Sequence, residues 1–184
     1  MKPFKILHTE KILDEPFAKV QKERVELPNG NETDWYVNRE AQSVVRVFPV
    51  LKSGGILMER MYRHGLLGES VEFPAGMIDE GESPEKTAER ELLEEVGYKA
   101  EELIYLGSSY YDSNRSTAKS HFFLGLGCEQ IQESEQEEDE QIEPYILANM
   151  DEVEKVLHTA PVTKGEWAMW GYVQSYLKKN NIEL

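Results

Sequence analysis

The chain has 184 residues, 40% of them hydrophobic, and its 35 acidic and 20 basic side chains give a formal net charge of −15 at pH 7. This length and composition suffice for one sizeable domain with its own core, so disorder is not the default expectation. The negative charge argues against binding to duplex nucleic acid or to anionic membranes, because phosphate-binding surfaces normally carry a surplus of Lys and Arg. A bound cation fits this charge better.

The cysteine content and the N-terminal segment predict the compartment. Cys128 is the single cysteine, which excludes an intramolecular disulfide and a multi-cysteine zinc site. The first residues, "MKPFKILHTEKILDEPF", lack a long apolar segment, and no run of 18 apolar residues occurs in the sequence. We therefore expect a cytoplasmic protein without a signal peptide or a membrane-spanning helix.

The first predicted elements are strands. Residues 4–12, 18–27 and 32–37 have the pattern of extended segments, and the "PNG" between the last two suits positive φ in a tight hairpin turn. The sequence thus predicts a small antiparallel β unit over residues 1–40, followed by a larger domain over residues 41–184.

The larger domain is predicted to begin with strands and to end with helices. A hairpin pattern surrounds residues 52–55, and "SVEFPAGM" then leads into an acidic segment. Two further strands are predicted in "EELIYLGSSYY" and "SHFFLGLGCEQI", which are rich in β-branched and aromatic residues. Helices are predicted over 151–158 and 166–179, and the second carries an aromatic stripe that indicates core or subunit contact rather than a ligand site.

The acidic segment predicts a helix with clear ends. Ser83 suits the N-cap and Gly97 suits a left-handed residue after the last turn, so the helix spans residues 84–96. Glu91, Glu94 and Glu95 lie on one arc of this helix, beside the apolar stripe that faces the core. Repulsion between two of these carboxylates, three or four residues apart on an exposed helix, costs only a few tenths of a kcal/mol. An isolated acidic face of this kind is more often solvated than functional.

The setting of these acids changes that interpretation. Gly76, Glu82 and the run "RELLEEVGY" have the spacing of the Nudix box, GX5EX7REUXEEXGU with U a bulky apolar residue, and the segment resembles that motif at every fixed position. Tyr98 is the one soft departure, because an aliphatic residue is more usual there. The matching residues are Gly76, Glu82, Arg90, Glu91, Leu92, Glu94, Glu95, Gly97 and Tyr98.

The resemblance implies a Nudix-type α/β/α sandwich around a mixed sheet, with Mg²⁺ as cofactor and Mn²⁺ able to substitute. Glu91 and Glu95 would be direct metal ligands, with Glu94 either completing the cluster or reaching a second ion. Glu82 would either approach a further metal or brace the loop. Arg90 would pair with a glutamate and hold its rotamer, without a catalytic role.

The residues around the box resemble one branch of the family, the ADP-ribose and nucleoside-diphosphate-sugar pyrophosphatases. "EFPAG" precedes the box and "MYR" lies upstream of it. In this branch the backbone carbonyl of Ala75 is also a metal ligand, and Arg63 contacts the diphosphate; a solvated arginine at a strand end is the alternative for Arg63. Met61 stands where glutamine is common, and residues 110–117 replace a frequent Ser-Pro-Gly, which leaves substrate choice open.

The N-terminal unit is expected to supply the base site. Trp35 either stacks on the nucleotide base or packs within its strand. Arg39 is expected to bind phosphate or ribose. The resemblance also implies a homodimer in which this unit is exchanged between the two copies.

The implied reaction is metal-assisted attack of water on a nucleoside diphosphate linked to a sugar, giving a nucleoside monophosphate and a sugar phosphate. Other nucleotides, such as dinucleoside polyphosphates or capped RNA, remain alternatives. Two other classes stay open, namely a nucleotide-sensing module that has lost catalysis and an acidic metal-buffering or interaction domain.

The general base is expected in the acidic run after the last predicted strand. In the related branch this role often falls to a glutamate outside the box, and "EDEQIE" resembles the pattern of two glutamates separated by two residues. Glu140 is the first candidate and Glu143 the second. Glu137 and Glu138 are the alternatives if the register of the run differs, and Glu94 within the box is the alternative if none of the four acts.

Overall fold

The computed structural model describes residues 1–16, 18–135 and 141–184. These residues form two compact units. The first comprises Met1–Ser43 and Ser109–Lys119, and the second comprises Val44–Ser108 and Ser120–Leu184.

The first unit contains a three-stranded antiparallel sheet in the order β1-β2-β3. Its strands are β1 (Lys5–Glu15), β2 (Ala18–Glu26) and β3 (Glu32–Val37). The β2-β3 turn places Gly30 at a φ of 84°, as the Asn-Gly step predicts. The amide of Leu27 donates to the carbonyl oxygen of Asn31 at 2.8 Å and closes the turn.

A segment distant in the sequence completes this unit. Within Ser109–Lys119, the carbonyl oxygen of Arg115 accepts from the amide of Asn38 at 2.6 Å. The hydroxyl of Thr117 donates to the carbonyl oxygen of Arg39 at 3.3 Å. The predicted division at residue 40 did not anticipate this segment, because local periodicity does not reveal the long-range partners of a loop.

The second unit is built on a mixed sheet. Its strands are β4 (Val44–Leu51), β5 (Ile56–Arg63), β6 (Gly68–Glu72), β7 (Ala75–Met77), β8 (Tyr98–Lys99), β9 (Glu102–Tyr110), β10 (Lys119–Gln130) and β11 (Ile142–Leu147). The main path runs β11-β5-β4-β10-β8, with β6 beside β5, β7 beside β4 and β9 beside β10. Strands β4 and β10 pair in parallel, whereas β5 pairs antiparallel with β4, β6 and β11.

Helices cover both faces of this sheet. On one face, α1 (Pro84–Val96) packs its apolar stripe on residues of β4, β5 and β10 such as Val47, Leu57 and Phe123. On the other face, α2 (Met150–Thr159) and α3 (Lys164–Asn180) pack on residues such as Phe48 and Phe122. This is the predicted α/β/α sandwich. None of the helices in the described part of the chain is long and apolar enough to cross a membrane.

The helix ends follow their capping residues. The side chain of Ser83 accepts from the amide of Lys86 at 3.3 Å, and Gly97 has a φ of 76°, so α1 has its predicted bounds. The last two helices begin one and two residues earlier than predicted, because Asn149 and Thr163 act as their N-caps.

Gly97 is expected to tolerate no side chain. A Cβ there would lie 2.1 Å from the carbonyl oxygen of Gln132, and its φ is unfavourable for other residues. Gly97→Ala should lower the free energy of unfolding by about 2–4 kcal/mol, from left-handed strain and overpacking together. Gly81→Ala is the matched control, because Gly81 has a φ of 84° and open space around it. Urea unfolding should show a loss of only about 1–2 kcal/mol for the control; equal losses would contradict the steric argument.

Candidate active site

The site begins where α1 meets the backbone of β7. A Cβ on Gly76 would lie 1.8 Å from Oε1 of Glu91, so only glycine allows this carboxylate to approach the β7 backbone. Glu91 is 8% exposed. Glu95, one turn further along the helix, is 4% exposed and accepts a hydrogen bond from the amide of Ala75 through Oε2 at 2.9 Å. The structure therefore brings the carboxylates of Glu91 and Glu95 to the backbone of Ala75 and Gly76.

Arg90 supplies positive charge beside these acids. Its Nη1 lies 2.8 Å from Oε1 of Glu91 and 3.0 Å from Oε2 of Glu94. Its Nη2 donates to Oε2 of Glu82 at 3.2 Å and to the carbonyl oxygen of Met77 at 3.1 Å. Burial by itself lowers the pKa of Arg90, but the surrounding carboxylates outweigh burial and raise it above its ordinary value. The predicted pairing of Arg90 with glutamate is present, and it involves three glutamates.

Glu82 connects the loop to the start of the helix. Besides its contact with Arg90, it accepts a hydrogen bond from the hydroxyl of Thr87 at 2.8 Å. The hydrogen bonds from Arg90 and Thr87 hold the pKa of Glu82 below its usual range. This geometry is a bracing contact, and a metal role for Glu82 stays a prediction.

The oxygen atoms of this site suit a hard cation. Among residues 1–16, 18–135 and 141–184, no three His, Cys, Asp or Glu side chains are arranged to hold a metal ion together. The carboxylates that converge on the β7 backbone are those of Glu91 and Glu95, whereas Glu94 contacts Arg90. Carboxylate and carbonyl oxygens are the ligands that Mg²⁺ accepts, so the donor chemistry fits the predicted ion.

Arg63, at the end of β5, is ion-paired rather than merely solvated. Its Nε and Nη2 donate to the two carboxylate oxygens of Glu72, each at 2.9 Å, and Ser70 donates to Oε1 at 2.6 Å. Glu72 is 2% exposed. Burial raises the pKa of Glu72, but the bonds from Arg63 and Ser70 outweigh burial, so the pKa lies below its usual value. The side chain of Arg63 is 44% exposed, so Glu72 fixes a guanidinium that still reaches solvent.

Trp35 and Arg39 lie together in the first unit, in a recess of about 310 Å³ lined only by residues of that unit. The indole N–H of Trp35 donates to the carbonyl oxygen of Asn114 at 2.8 Å. Arg39 forms a bidentate ion pair with buried Glu23. Its Nε donates to Oε1 at 3.0 Å and its Nη2 donates to Oε2 at 2.8 Å. Phe4 meets the Trp35 ring edge-on at a centroid distance of 5.9 Å.

The structure describes one of the candidate general bases in the acidic run. The others lie outside the described residues, namely Glu137, Glu138 and Glu140. Glu143 is exposed on β11, opposite Arg60 in the β5 register. Ahead of the acidic run, the amide of Glu135 donates to the carbonyl oxygen of Glu94 at 2.8 Å.

Sequence reasoning missed three partners of the predicted site residues. These are Glu72, which holds Arg63; Glu23, which holds Arg39; and Asn114, which holds Trp35. Glu72 could have been singled out as a residue of the site, because it opens "EFPAG", although its pairing with Arg63 depends on the register of β5 and β6. Glu23 and Asn114 carry no local signal, since their roles arise from strand register and loop placement.

Comparison with known families gives the same assignment. The NUDIX domain model matches residues 40–170, and the model of the nucleoside diphosphate sugar hydrolase N-terminal domain matches residues 4–38. The chain belongs to the NUDIX family. The predicted family, with its nucleoside-diphosphate-sugar branch, and the predicted enzyme class of pyrophosphohydrolase are confirmed.

Relatives resemble this NUDIX chain over most of its length. It is 30% identical over 156 residues to the ADP-ribose pyrophosphatase of Bacillus subtilis (strain 168), covering 85% of this chain and 82% of the relative. It is 30% identical over 148 residues to the methanol dehydrogenase activator of Bacillus methanolicus, covering 80% of each chain. The crystal structure of an ADP compounds hydrolase superposes with a TM-score of 0.81 at 20% identity, covering 98% of this chain and 97% of that one. This last likeness confirms the fold.

Removing the charge of Glu72 is expected to destabilise the enzyme in a pH-dependent way. The pKa of Glu72 is depressed in the folded state, so its stabilising effect is complete above its unfolded pKa and is lost as the pH falls through the folded value. Glu72→Gln should cost about 1–3 kcal/mol at pH 7, less than a fully buried pair because Arg63 is partly exposed. Exposed Glu69 on the same strand gives the control, Glu69→Gln.

Urea unfolding at pH 7 and at acidic pH checks this expectation. The difference between wild type and Glu72→Gln should shrink as the pH falls, because the wild-type carboxylate then becomes protonated. A difference that is independent of pH, or that matches the control, would contradict it.

Proposed function

We propose that this enzyme hydrolyses the diphosphate bond of ADP-ribose or of a similar nucleoside-diphosphate sugar, giving a nucleoside monophosphate and a sugar phosphate. The observation that carries the proposal is the convergence of two buried carboxylates, Glu91 and Glu95, on the Ala75–Gly76 backbone. The match of the N-terminal segment to the sugar-hydrolase model and the activity for which the B. subtilis relative is named support the choice of substrate.

Glu91, Glu95 and the backbone carbonyl of Ala75 are the proposed ligands of Mg²⁺, with Mn²⁺ able to substitute. Glu94 would join them by leaving Arg90, or would bind a second ion, and Glu82 would serve mainly to brace the loop. When bound, the ion would neutralise charge on the diphosphate and lower the pKa of the attacking water.

The protein's own groups would orient the substrate. The exposed part of the Arg63 guanidinium is the proposed contact for the diphosphate, and the buried Glu72 fixes its plane. Trp35 would stack on the base, and Arg39 would bind ribose or phosphate. Binding in a fixed orientation increases the rate, because the loss of translational and rotational entropy then occurs on binding and not in the chemical step.

A homodimer with exchanged N-terminal units is part of the proposal. All residues of β1 are exposed in the single chain, although it is an edge strand that bears Ile6, Ile12 and Leu13. An edge strand with exposed apolar side chains is open to association, and a second copy of this chain would cover it. A cytoplasmic location is proposed with it.

A binding or regulatory module is the second candidate. The observation that favours it is the relative from B. methanolicus, whose name describes activation of another enzyme rather than hydrolysis. An assay of hydrolysis separates the two candidates, because a module of this kind would bind nucleotide without forming product.

The direct test is an assay of the purified protein with Mg²⁺ against ADP-ribose, ADP-glucose, GDP-mannose, UDP-glucose, a dinucleoside polyphosphate and capped RNA. Turnover of a sugar nucleotide is expected, and Glu95→Gln should lower it by about two orders of magnitude or more, because a metal ligand contributes several kcal/mol in the transition state. Glu89→Gln, exposed on the same helix, should retain activity. Normal turnover of Glu95→Gln at saturating Mg²⁺ would refute the ligand assignment.

The general base is proposed to be Glu140, with Glu143 as the second candidate. Glu140→Gln should lower kcat about 100-fold or more while KM and Mn²⁺ affinity stay near wild type, a loss typical of a proton-transfer group. Steady-state kinetics and Mn²⁺ titration of Glu140→Gln and Glu143→Gln measure this. If kcat survives in Glu140→Gln but collapses in Glu143→Gln, Glu138→Gln or Glu137→Gln, the base is that other residue. If all four variants keep wild-type kcat, the base lies within the box, and Glu94 is next.

A further inference from the structure

The turn at residues 112–116 is ordered by hydrogen bonds to one residue, Asp112, through its side chain and its backbone carbonyl. Oδ1 of Asp112 accepts from the amide of Asn114 at 3.2 Å. The carbonyl oxygen of Asp112 accepts from the amides of Arg115 at 3.0 Å and Ser116 at 2.8 Å. Asp112 thus satisfies three successive backbone donors and sets the conformation of the turn, as aspartate commonly does in loops.

This turn presents a hydrogen-bond acceptor to Trp35. The carbonyl oxygen of Asn114 lies 2.8 Å from the indole nitrogen of Trp35, and Phe4 packs edge-on against the same ring. Trp35 is 37% exposed on its strand, where packing alone leaves rotamer freedom. The bond from Asn114 and the contact with Phe4 fix the plane of the indole.

Arg39, which also lines the recess, is held in place by hydrogen bonds as well. Glu23, which is 3% exposed, holds the guanidinium of Arg39 through two hydrogen bonds. The polar residues Ser113, Asn114 and Ser116 of the turn also line the recess. The recess therefore combines an ordered aromatic plane, an ordered cation and the polar residues of one turn with the apolar side chains of Phe4, Ile6, Val25 and Val37.

These features suit a nucleotide more than an arbitrary apolar ligand. A planar base can stack on an indole whatever its identity, whereas amide and hydroxyl groups can distinguish bases through their edges. A recess whose walls are already ordered loses less conformational entropy when it binds a ligand. Its volume of about 310 Å³ is at the lower end of small-molecule sites, so it suits a nucleoside rather than a whole sugar nucleotide.

We propose that Asp112 is a positioning residue for nucleotide recognition. Through the turn that it orders, it holds Trp35 as the stacking surface and places the polar residues of the turn at the edge of the base. The loop 109–119 thereby determines base affinity together with the N-terminal strands. This inference rests on the proposed function in that it takes the ligand to be a nucleotide.

The experiment measures binding of AMP to the metal-free protein by calorimetry, which involves no hydrolysis. Asp112→Ala should weaken AMP binding about tenfold or more. Asp112→Asn is the matched control, because its amide oxygen can still accept from the amide of Asn114, and its affinity should stay within about threefold of wild type. Ribose 5-phosphate, which lacks a base, should bind all variants alike.

Two variants test Trp35 without disturbing the turn. Trp35→Ala should lose roughly tenfold or more in AMP affinity, as expected for a base-stacking residue. Trp35→Phe keeps an aromatic face but loses the N–H donor, so its affinity should be intermediate. In nitrogen-15 spectra, the indole N–H signal that disappears in Trp35→Phe identifies Trp35, and its exchange with solvent should accelerate in Asp112→Ala.

The outcomes are distinguishable. Wild-type AMP affinity in Asp112→Ala, with accelerated indole exchange, would overturn the positioning role. Wild-type AMP affinity in Trp35→Ala would also overturn it, because the indole would then not be the stacking surface. Loss of AMP affinity in Asp112→Ala but not in Asp112→Asn would support the inference even if no sugar nucleotide were hydrolysed, and in that case the proposed reaction alone would fail.

Discussion

Two carboxylates at positions 91 and 95 lie nearly out of solvent, and the second unit depends on how their charge is compensated. An uncompensated buried charge costs several kcal/mol, so neither side chain would stay in place alone. Arg90 contacts Glu91, and the amide of Ala75 donates to Glu95. The helix is therefore attached to the sheet by its apolar stripe and to the backbone of β7 by these charged contacts, and the close approach of Glu91 requires the absence of a side chain at Gly76.

The sheet makes these contacts possible. Strand β7 pairs antiparallel with β4, which places Ala75 opposite Arg46 and presents the loop backbone to α1. Strand β4 in turn pairs in parallel with β10, in the interior of the sheet. At the far end of α1, the carbonyl oxygen of Gly97 accepts from the amides of Ile131 and Gln132, so the chain that leaves β10 holds the end of the helix. The acids on α1 are thus positioned from both ends.

Much of this could be predicted from the sequence, because local rules determine it. The bounds of α1 followed from Ser83 and Gly97, and the grouping of Glu91 and Glu95 followed from helical spacing and the motif. The partners of the proposed substrate-binding residues could not be predicted in this way. The pairing of Glu72 with Arg63 depends on which strand lies beside β5, and the contact of Asn114 with Trp35 joins residues 79 positions apart. Such contacts are tertiary, and a single sequence carries little information on them.

The chain path through the first unit limits how its binding properties can be transferred between relatives. Residues 109–119 leave β9 and return to β10, yet they fold with residues 1–43. A chimaera that exchanges only the N-terminal segment would combine one parent's strands with the other parent's turn, and the indole donor would meet a loop of different length or shape. Transfer of the proposed base preference by recombination therefore requires both segments to come from the same parent. Natural drift in either segment should be accompanied by compensating change in the other, although more than 60 residues of the chain separate them.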